Sequence, residues 1–440
     1  MKKKKKLDDK TKIISKMKKS TLKYQNKIPL NELFDIEWND IQTNAFYDMR
    51  ISTFDKNTSQ LSYSKLKPSK DDKLIKCKKI TLLPTKEQKD KLLEMFEAYR
   101  IMYNETNKCI KRLLKSGEKL VGWQKLRTNY LMDVKKELMK RFNIFSHTLD
   151  GAIKLCTTSY KVCFTNLKLG HIKYFKIRYL KSNKDSKILD VEQQYFKGNY
   201  IFKTILKDEL KNNEDYDYSQ IDCDSKMHYN SNTDRFTLLV PIKLDKINND
   251  KENDYISIDP GIRTFLTGLS EDKVLEIGNN ISDKLKEYHN RIDKVEKNDK
   301  IKNHKRKKLL KRLREKIKNK MDDSHWKIIS YLKKFKNIII GKWSTKNIIS
   351  KKSSVLRSMS KRVASSLGYY KFLTRLEYKC KSNGNNLYLV DERYTSKMCS
   401  KCGNIKDDLG GNKIYNCNKC GLKIGRDINS TRNMLTKILV

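Results

Sequence analysis

Residues 399–421 read CSKCGNIKDDLGGNKIYNCNKCG, and this stretch determines the local fold more firmly than any other part of the chain. It holds two Cys-x2-Cys pairs, Cys399 with Cys402 and Cys417 with Cys420, and a glycine follows each pair. Each pair forms a tight turn that aims two thiolates at one point, and two such turns complete the tetrahedral sulfur set that Zn2+ prefers. Two unrelated pairs or a redox dithiol are the alternatives. We predict one structural zinc ion in a zinc ribbon whose folding depends on the metal.

The net charge indicates which class of molecule the protein binds. The 440 residues include 98 Lys+Arg and 52 Asp+Glu, which gives a formal net charge of +46. Self-repulsion on this scale disfavours a compact state unless a polyanion neutralises it, and an enzyme of small metabolites gains nothing from such a field. Nucleic acid is therefore the expected partner, with an anionic membrane surface as the competing interpretation. Hydrophobic residues make up 37% of the chain, which is enough to bury real cores.

The sequence argues against the membrane interpretation. No run approaches the roughly 18 apolar residues that span a bilayer, and the start MKKKKKLDDK has no apolar stretch behind it, unlike a secretory signal. We therefore expect an intracellular protein without a membrane partner. The run Lys2 to Lys6 is equally compatible with a nuclear-import or nucleic-acid patch and with a solvated, lysine-rich terminus.

In the first half of the chain, a strand and a helical region are predicted first, and further strands are predicted after them. Residues 74–83 (LIKCKKITLL) alternate like a strand, Pro84-Thr85 starts a helix that continues to about residue 115, and a helical pattern covers 122–168. Three short aromatic and β-branched stretches follow, and they predict strands of a β-barrel or sheet: HIKYFKIRYL, NYIFKTIL and RFTLLVPIKL. Their interleaved basic residues suit base stacking and phosphate contact as well as ordinary strand alternation.

The second half alternates strands with helices, which indicates an α/β sheet. Buried-type strands are predicted at 255–258, 264–269, 335–340 (FKNIII) and 386–390, and helical patterns cover 282–333 and 355–383. The ribbon follows, with a turn at 408–412 that we expect to join its two strands. A last helix begins near Asp427.

Acidic residues at strand ends are worth attention in so basic a chain. Asp259 closes the first of these strands, Asp391 and Glu392 close the last, and Asp427 lies at a helix start. Carboxylates gathered at one end of a sheet can hold two Mg2+ ions for phosphodiester hydrolysis. Taken singly, each acid is equally compatible with a turn residue, a helix cap or a surface ion-pair partner.

The order of these motifs resembles the TnpB superfamily of transposon-associated, RNA-guided DNA nucleases, and within it the Fanzor branch of eukaryotes and their large viruses. The segments that carry the resemblance are, in chain order, Ile258-Asp259-Pro260-Gly261, Tyr394-Thr395-Ser396-Lys397-x-Cys399-Ser400-x-Cys402-Gly403, Cys417-x2-Cys420-Gly421 and Arg426-Asp427-x-Asn429-x3-Asn433. Two further segments are similar to the family's recognition helices and wedge barrel: Leu83 to Gln88 with Tyr103-Asn104, and Phe175-Lys176-Ile177-Arg178.

The resemblance implies a multidomain α/β plus β-barrel protein, with an RNase H-like RuvC nuclease domain that carries a zinc-ribbon insert. The implied boundaries are a basic N-terminal extension at 1–73, the first wedge-barrel strand at 74–85, a helical recognition module at 86–168, the rest of the wedge β-barrel at 169–252, the RuvC-like nuclease at 253–393, the target-nucleic-acid-binding ribbon at 394–424, and the last RuvC helix at 425–440. The implied partners are a guide RNA of the omega type and a target double-stranded DNA. Guide pairing reads the target and the protein reads a short flanking motif. The implied state is a monomer in a ribonucleoprotein that acts in the nucleus of a eukaryotic or virus-infected cell.

One position departs from the family pattern. Typical members carry a glutamate just after the strand that matches FKNIII, whereas here the strand runs into Gly341-Lys342-Trp343. Members with a rearranged site resemble this chain, because their glutamate precedes the TS-x2-C motif at the position of Glu392. In an RNase H sheet the strand before Glu392 lies beside FKNIII, and alternation points Asp391 to the other face.

These arguments assign both catalysis and the binding of two Mg2+ ions to Asp259, Glu392 and Asp427, with Asp259 as the shared ligand. One structural Zn2+ is assigned to the four ribbon cysteines. Predicted nucleic-acid contacts are Tyr103, Asn104, Lys176, Arg178, Lys397, Arg426 and Arg432. The glycine at 341 keeps open a nuclease-dead RNA-guided DNA-binding protein. A zinc-ribbon RNA-binding protein also explains the charge and the ribbon, but not the ordered acids.

Overall fold

The structure is a computed structural model that describes residues 26–40, 63–65, 74–244, 255–271, 273–350 and 356–439. Two compact units divide these residues: one lies within Ile75–Leu244, and the other is built from the segments before and after it. The lysine run Lys2 to Lys6 lies outside the described residues. Within the described ranges, the structure has no helix with the length and apolar composition that crossing a membrane requires.

Strands and helices are numbered along the chain. The strands are β1 (Asn26–Pro29), β2 (Asp35–Asp40), β3 (Tyr63–Lys65), β4 (Leu74–Leu82), β5 (Ser186–Val191), β6 (Phe196–Lys197), β7 (Tyr200–Ile201), β8 (Ser225–Asn230), β9 (Arg235–Leu244), β10 (Tyr255–Pro260), β11 (Leu266–Ser270), β12 (Lys273–Ile277), β13 (Asn337–Gly341), β14 (Asn386–Val390), β15 (Ile414–Asn416) and β16 (Lys423–Gly425). The helices are α1 (Lys86–Lys115), α2 (Trp123–Tyr130), α3 (Met132–Phe142), α4 (Ser146–Lys168), α5 (Lys203–Leu206), α6 (Ile281–Glu296), α7 (Asn303–Leu332), α8 (Thr345–Ile349), α9 (Ser358–Leu367), α10 (Tyr369–Asn383) and α11 (Arg426–Leu439).

The unit within residues 75–244 packs helices α1 to α4 with a four-stranded sheet in the order β4-β9-β8-β5. The predicted helix start is confirmed, because Thr85 and Gln88 form a reciprocal capping box in which each side chain accepts a hydrogen bond from the other residue's backbone N–H. Leu92 and Phe96 of α1 and Ile153 of α4 are buried in one shared core. The strand predicted at 235–244 is present with those bounds as β9. Closure of this sheet into a barrel stays a prediction.

The strand predicted at 171–180 is wrong, since the structure gives this segment no regular secondary structure. Its side chains nevertheless alternate, with Phe175 and Ile177 packed against the core and Tyr174 85% exposed. The backbone partner is not a strand but the polar face of α1: Asn104 donates to the carbonyl of Leu180 at 3.0 Å and accepts from its N–H at 2.8 Å. In this segment the alternation of apolar and polar residues therefore reflects which side chains are buried, although the backbone pairs with no strand.

The stretch 199–206 also differs from its prediction as one strand. Only Tyr200–Ile201 pairs, as β7 with β6, and the chain then turns at Phe202 into the single-turn helix α5. Phe202 has a φ of +55° and is fully buried, so core packing overrides the extended pattern of this apolar run.

The other unit is organised around an eight-stranded sheet with the order β1-β2-β12-β11-β10-β13-β14-β3. At its centre β10, β13 and β14 run parallel, whereas β11 and β12 continue from β10 as an antiparallel meander. The predicted helical stretches are present as two helix pairs. The first is α6 with α7, and the second is α9 with α10, which meet at Gly368 with a φ of +60°. This left-handed backbone is one that glycine adopts without steric cost.

Residues 26–40, which we assigned to the N-terminal extension, contribute β1 and β2 to this sheet. Leu33, Phe34 and Ile36 are almost completely buried in the core of the unit. The segment's partner in the sheet is β12, far along the chain, so local periodicity could not reveal this pairing.

Helix α11 covers the centre of the sheet on one side. Met434 and Leu435 are fully buried with Ile339 of β13 and Val390 of β14. The hydroxyl of Ser257 in β10 donates to the carbonyl of Thr431 at 2.8 Å. This packing brings the start of α11 to the carboxyl ends of the parallel strands.

Candidate active site and cysteine cluster

The register of the central strands aligns the predicted acidic positions. Ile258 of β10 lies opposite Ile340 of β13, and Gly341 lies opposite Val390 of β14. Asp259 is therefore level with Gly341, and Glu392 follows the end of the next strand. The expectation that the strand before Glu392 lies beside FKNIII is confirmed by this pairing.

The pKa of Asp259 is affected by the negative charges of both other predicted ligands. Burial raises its pKa well above the usual value, and the negative charges of Asp427 and Glu392 raise it further. A hydrogen bond from Ser430, one turn into α11 from Asp427, acts in the opposite direction. The sequence-distant acids thus approach Asp259 closely enough to disfavour its ionisation, and a bound cation relieves this kind of repulsion.

Gly341 leaves a space that the Glu392 side chain fills. A Cβ atom at position 341 would lie 2.3 Å from Oε1 of Glu392, 2.8 Å from its Cγ and 2.9 Å from its Cδ. Real Cβ contacts essentially never come closer than 3.0 Å, so any larger residue at 341 excludes this conformation of Glu392. The glycine at 341 and the glutamate at 392 therefore form one structural feature.

The Glu392 carboxylate has an unsatisfied oxygen. Its Oε1 is buried and has no hydrogen-bond partner. Burial raises the pKa of Glu392 to about 7, the charge of Asp391 adds to this effect and Lys437 opposes it. A buried carboxylate oxygen without a donor is costly unless another group satisfies it, and a hard divalent cation binds such oxygen ligands. Asp391 is engaged elsewhere, since it accepts a hydrogen bond from the N–H of Arg393 at 2.9 Å.

Asp427 is the most open of the three acids. It lies in the first turn of α11 and its side chain is exposed. The surrounding protein raises its pKa, and the nearby charges of Arg426, Arg263 and Lys413 act against that rise. A carboxylate at a helix N-terminus is also stabilised by the helix dipole.

Lys437 is a site residue that the sequence did not reveal. It is 8% exposed, and its ammonium group donates to the carbonyl of Asp391 at 2.9 Å and to that of Arg393 at 3.1 Å. These two carbonyls flank Glu392, so Lys437 fixes the backbone from which the glutamate projects. The available signal was a lysine inside the apolar face of the last helix, next to Ile438.

Tyr369 contacts the strand end at Gly341, where the Glu392 side chain fills the space left by the glycine. Its buried hydroxyl donates to the carbonyl of Gly341 at 2.8 Å. Burial raises the pKa of Tyr369 well above the usual value, and the charges of Glu392 and Asp259 add to this. The phenol therefore stays protonated and remains a donor to the strand end.

The four ribbon cysteines converge as predicted. Among the described residues, theirs is the one group of three or more His, Cys, Asp or Glu side chains whose ligand atoms all lie within 4.8 Å of one another. Sγ of Cys399 lies 3.6 Å from that of Cys420, and Sγ of Cys402 lies 3.5 Å from that of Cys417. Sulfurs about 2.3 Å from a zinc ion are about 3.8 Å apart in a tetrahedron, so the donor set fits Zn2+. By the same 4.8 Å criterion the three acids form a more open group.

Backbone donors favour one thiolate in this cluster. Burial opposes ionisation of Cys417, but N–H groups of Cys420 and Lys419 donate to its sulfur and lower its pKa to about 6. Burial raises the pKa of Cys399 to about 12. Four thiols with such different affinities for protons become four thiolates when a divalent metal replaces the protons.

The turn at 408–412 was predicted to join the two ribbon strands, and this is wrong. β15 and β16 pair antiparallel on either side of the second cysteine pair, with Tyr415 opposite Ile424. The second Cys-x2-Cys turn therefore closes the hairpin, because its backbone turns back on itself to present both thiols. The 408–412 segment precedes β15 instead.

Two asparagines of the last motif attach the ribbon to α11. Asn429 accepts from the N–H of Ser400 at 3.0 Å and donates to the carbonyl of Met398 at 2.7 Å. Asn433, one turn later, donates to the carbonyls of Thr395 and Met398, both at 2.7 Å. Both asparagines are buried. The spacing from Asn429 to Asn433 thus serves to bind the first cysteine turn to the helix that carries Asp427.

The predicted nucleic-acid contacts of the ribbon and last helix differ in accessibility. Lys397 pairs with Asp407 at 3.1 Å and is partly exposed, and Arg426 donates to the carbonyl of Gly410 at 2.9 Å. Arg432 is 5% exposed, inside the packing of α11. This burial favours a structural role for Arg432.

The predicted contacts in the other unit also divide by burial. Lys176 and Arg178 are exposed on the 171–180 segment. Tyr103 is 7% exposed in the core, and Asn104 is occupied by the backbone of Leu180. These positions favour structural roles for Tyr103 and Asn104, whereas Lys176 and Arg178 keep surfaces that a phosphate can reach.

Three family models match the chain. Residues 369–434 match the Cas12f1-like TNB domain, residues 239–344 match a family described as "Probable transposase", and residues 74–119 match a helix-turn-helix domain of the same transposase group. The first match contains the cysteine cluster, Glu392 and Asp427, and the second contains Asp259 and Gly341.

The chain is similar to one curated relative over most of its length and to another over a short part. TnpB-like protein R854 of Acanthamoeba polyphaga mimivirus is 34% identical over 91% of this chain and 82% of its own length. The CRISPR-associated endodeoxyribonuclease Cas12f1 of Sulfoacidibacillus thermotolerans is 34% identical over 18% of this chain and 19% of its own length. A cryo-EM structure of a Cas12f1-sgRNA-target DNA complex aligns over 82% of this chain and 98% of that chain at 16% identity, with a TM-score of 0.32, too low to compare the folds.

Proposed function

This chain belongs to the TnpB superfamily, and on that premise we propose that it is an RNA-guided DNA endonuclease of the Fanzor type. It hydrolyses phosphodiester bonds of a target double-stranded DNA that is matched to a non-coding guide RNA and lies next to a short flanking motif. The superfamily relative Cas12f1 is named an endodeoxyribonuclease, which supports the same class of reaction here.

One observation carries the proposal: the Glu392 carboxylate occupies the space that Gly341 vacates, next to Asp259, with one buried oxygen unsatisfied. A sheet gains no stability from burying an unpaired carboxylate beside two others. A nuclease, in contrast, needs hard oxygen ligands at this place. The rearranged glutamate therefore argues for retained cleavage rather than for loss of the acid.

Asp259, Glu392 and Asp427 would hold two Mg2+ ions, with Asp259 as the shared ligand. Such ions supply activation of water and charge stabilisation of the leaving oxygen in phosphodiester hydrolysis. The chain's own part is to orient the acids. Lys437 fixes the backbone on both sides of Glu392, Tyr369 fixes the carbonyl of Gly341, and Ser430 favours the ionised form of Asp259 by lowering its pKa. One structural Zn2+ would bind the four cysteines and order the ribbon.

The partners follow from the charge and the family. A net charge of +46 suits two polyanions, a guide RNA of the omega type and the target duplex. We expect a single protein copy in the ribonucleoprotein and action in the nucleus of a eukaryotic or virus-infected cell. Domain boundaries at 253–393 for the nuclease and 394–424 for the target-binding ribbon remain part of this proposal.

The first test is cleavage by the purified ribonucleoprotein. The chain is expressed with RNA from its native locus, the copurified RNA is sequenced, and a plasmid with a matching target and randomised flanks is incubated with Mg2+. Glu392→Gln should lower the cleavage rate at least about a thousandfold, or ~4 kcal/mol of barrier, and leave guide-RNA binding unchanged. Glu377→Gln is the matched control, since Glu377 pairs with Lys381 on the surface of α10. Full activity of Glu392→Gln would overturn the assignment.

A reciprocal exchange tests the rearrangement itself. Glu392→Gly empties the space beside position 341, and adding Gly341→Glu returns a carboxylate to it from the neighbouring strand. We expect the single variant to be inactive and the double variant to regain a measurable part of the activity. An inactive double variant that still folds and binds RNA would show that the carboxylate must come from position 392.

The rival is an RNA-guided DNA-binding protein without cleavage. It is favoured by the more open grouping of the acids, which lie beyond the 4.8 Å spacing that the cysteines meet. Sequence-specific retention of target DNA with no cleavage in Mg2+ or Mn2+ would establish this alternative. In both cases guide RNA should raise the melting temperature, because it neutralises the self-repulsion of the chain.

A further inference from the structure

A cavity in the unit with the eight-stranded sheet lies away from the three acids, among helices α6, α7, α9 and α10. Its volume is about 760 Å3, and it is an open cleft rather than a sealed void. Cavities of this size hold small organic ligands. None of the residues assigned to Mg2+ or Zn2+ lines it, so the cleavage reaction leaves it unexplained.

The floor and rim of this cavity differ chemically. Ile292, Ile317 and Met321 supply a floor of well-buried apolar side chains. Arg314 and Lys318 are exposed and stand on the rim. In the part of the chain that the structure describes, Lys318 makes no ion pair, and Arg314 reaches Glu296 only at 3.8 Å. An apolar floor beneath an unpaired lysine and a weakly paired arginine suits a flat, apolar-faced ligand that carries an anionic group.

Two other cations around the cavity are paired with acids. Arg362 pairs with Asp293 at 2.7 Å, and Lys371 pairs with Asp322 at 2.6 Å. Lys361 of α9 lines the cavity as well, and among the described residues it donates to the carbonyl of Ser350 at 3.4 Å and pairs with no acid. Arg314 and Lys318 lie four residues apart on one face of α7, so these two cations can hold one anionic group together.

His289 adds a directional hydrogen-bonding group. It is 8% exposed and lines the cavity, and its Nε2 contacts the hydroxyl of Ser366 at 3.0 Å. Its Nδ1 is buried and has no partner. An unpaired buried nitrogen is costly until a ligand satisfies it, and the edge of a nucleobase offers both donors and acceptors. His325, the other histidine of the cavity, is already satisfied by the carbonyl of Leu367 at 2.9 Å and by Arg375.

We propose that this cavity binds a nucleoside phosphate, with the base on the apolar floor, the base edge at His289 and the phosphate at Arg314 and Lys318. Its place suggests a nucleotide of a bound strand as the source, with a free nucleotide as the other source of the same chemistry. Gly368 lines the cavity, and the next residue, Tyr369, contacts the carbonyl of Gly341. The start of α10 therefore separates this cavity from the carboxylate site.

Binding is tested on the full chain without Mg2+, so cleavage plays no part. The probes are inorganic phosphate, the four ribonucleoside monophosphates and a short oligouridylate, each titrated calorimetrically at fixed salt. Lys318→Glu should weaken both phosphate and nucleotide at least about tenfold. Lys308→Glu, the same charge change at an exposed position of α7 outside the cavity, should change affinity less than about twofold.

The variant His289→Phe distinguishes binding of the base from binding of the phosphate. It should weaken the mononucleotides and their discrimination by base, but leave inorganic phosphate unchanged. If this histidine variant unfolds, Met321→Leu and Met321→Ala provide a graded test of the floor, with weaker nucleotide binding for the smaller side chain. Equal losses in Lys308→Glu and Lys318→Glu would overturn the proposal, because the net charge alone would then explain binding.

The two sources are distinguished by competition. Oligouridylate that displaces uridine monophosphate and crosslinks at Lys318 supports a strand nucleotide, whereas mononucleotide binding without competition supports a free nucleotide. Failure of all nucleoside phosphates to bind would overturn the site. That result would not contradict the proposed cleavage of plasmid DNA. An inactive nuclease, in turn, would not contradict nucleotide binding at this cavity.

Discussion

The cysteine cluster and the proposed carboxylate site are built in opposite ways. The four thiols lie on two local turns within residues 399–420, and their sulfurs already approach within 3.6 Å and 3.5 Å in pairs. The three acids come from β10, the end of β14 and the start of α11, and they depend on Gly341, Tyr369 and Lys437 to hold them. We therefore expect the ribbon to be sensitive to removal of a metal, and the carboxylate site to be sensitive to small changes of volume around it.

The largest effect is expected at the ribbon. Cys417→Ser should abolish zinc binding and unfold residues 394–424, because structural zinc supplies on the order of 10 kcal/mol of folding free energy in small ribbons and fingers. Zinc content by mass spectrometry and hydrogen exchange of the ribbon amides measure this. Cys77→Ser, at an exposed cysteine outside the ribbon, is the control. One zinc per chain in Cys417→Ser would contradict a four-cysteine site.

The next effect tests the volume at the carboxylate site. Gly341→Ala places a Cβ atom on the Glu392 carboxylate and should lower plasmid cleavage about a hundredfold, or ~3 kcal/mol of barrier, with guide binding retained. Gly411→Ala is the matched control, because no atom lies within 4 Å of the Cβ it would add. Equal activity of the two variants would mean that Glu392 does not need this space.

A smaller effect is expected from the lysine that flanks Glu392. Lys437→Met keeps the length of the side chain but removes the donor to two carbonyls, so the free energy of unfolding should fall by about 2 kcal/mol. Cleavage should fall at least about tenfold, or ~1.4 kcal/mol of barrier, and added Mg2+ should recover part of it. Lys308→Met, at an exposed position, controls for loss of charge. A stable Lys437→Met variant with full cleavage would remove Lys437 from the site.

Much of the local structure was predictable. The helix start at Thr85, the strands at 235–244 and 386–390 and the convergence of the four ribbon cysteines follow from capping chemistry, alternation and cysteine spacing, all of which act over a few residues. The strand predicted at 171–180 was wrong because the same alternation arises when polar side chains of a helix replace a strand partner. The turn at 408–412 was wrong because the second cysteine pair itself closes the hairpin.

The site was only partly predictable for a related reason. Asp259, Glu392 and Asp427 could be named because each ends a strand or begins a helix, and the position of Gly341 marked a missing acid. That the Glu392 side chain fills the space at Gly341 could not be derived, since it depends on the register of β13 with β14 and on a side-chain conformation. The sequence marks Lys437 only as a lysine on the apolar face of the last helix and does not mark Tyr369, because the partners of both are backbone carbonyls of distant segments.

The sequence by itself indicated a polyanionic partner and determined the cysteine set and the order of the acids, because charge, thiol spacing and strand ends can be read from composition and from neighbouring residues. Only the tertiary structure decided that residues 26–40 belong to the central sheet and that a lysine of the last helix fixes the backbone of Glu392. It also decided that an apolar cavity with a cationic rim lies on the other side of the start of α10. Each of these depends on close packing between residues far apart in the chain, where volume and hydrogen-bond geometry rather than composition determine the contact.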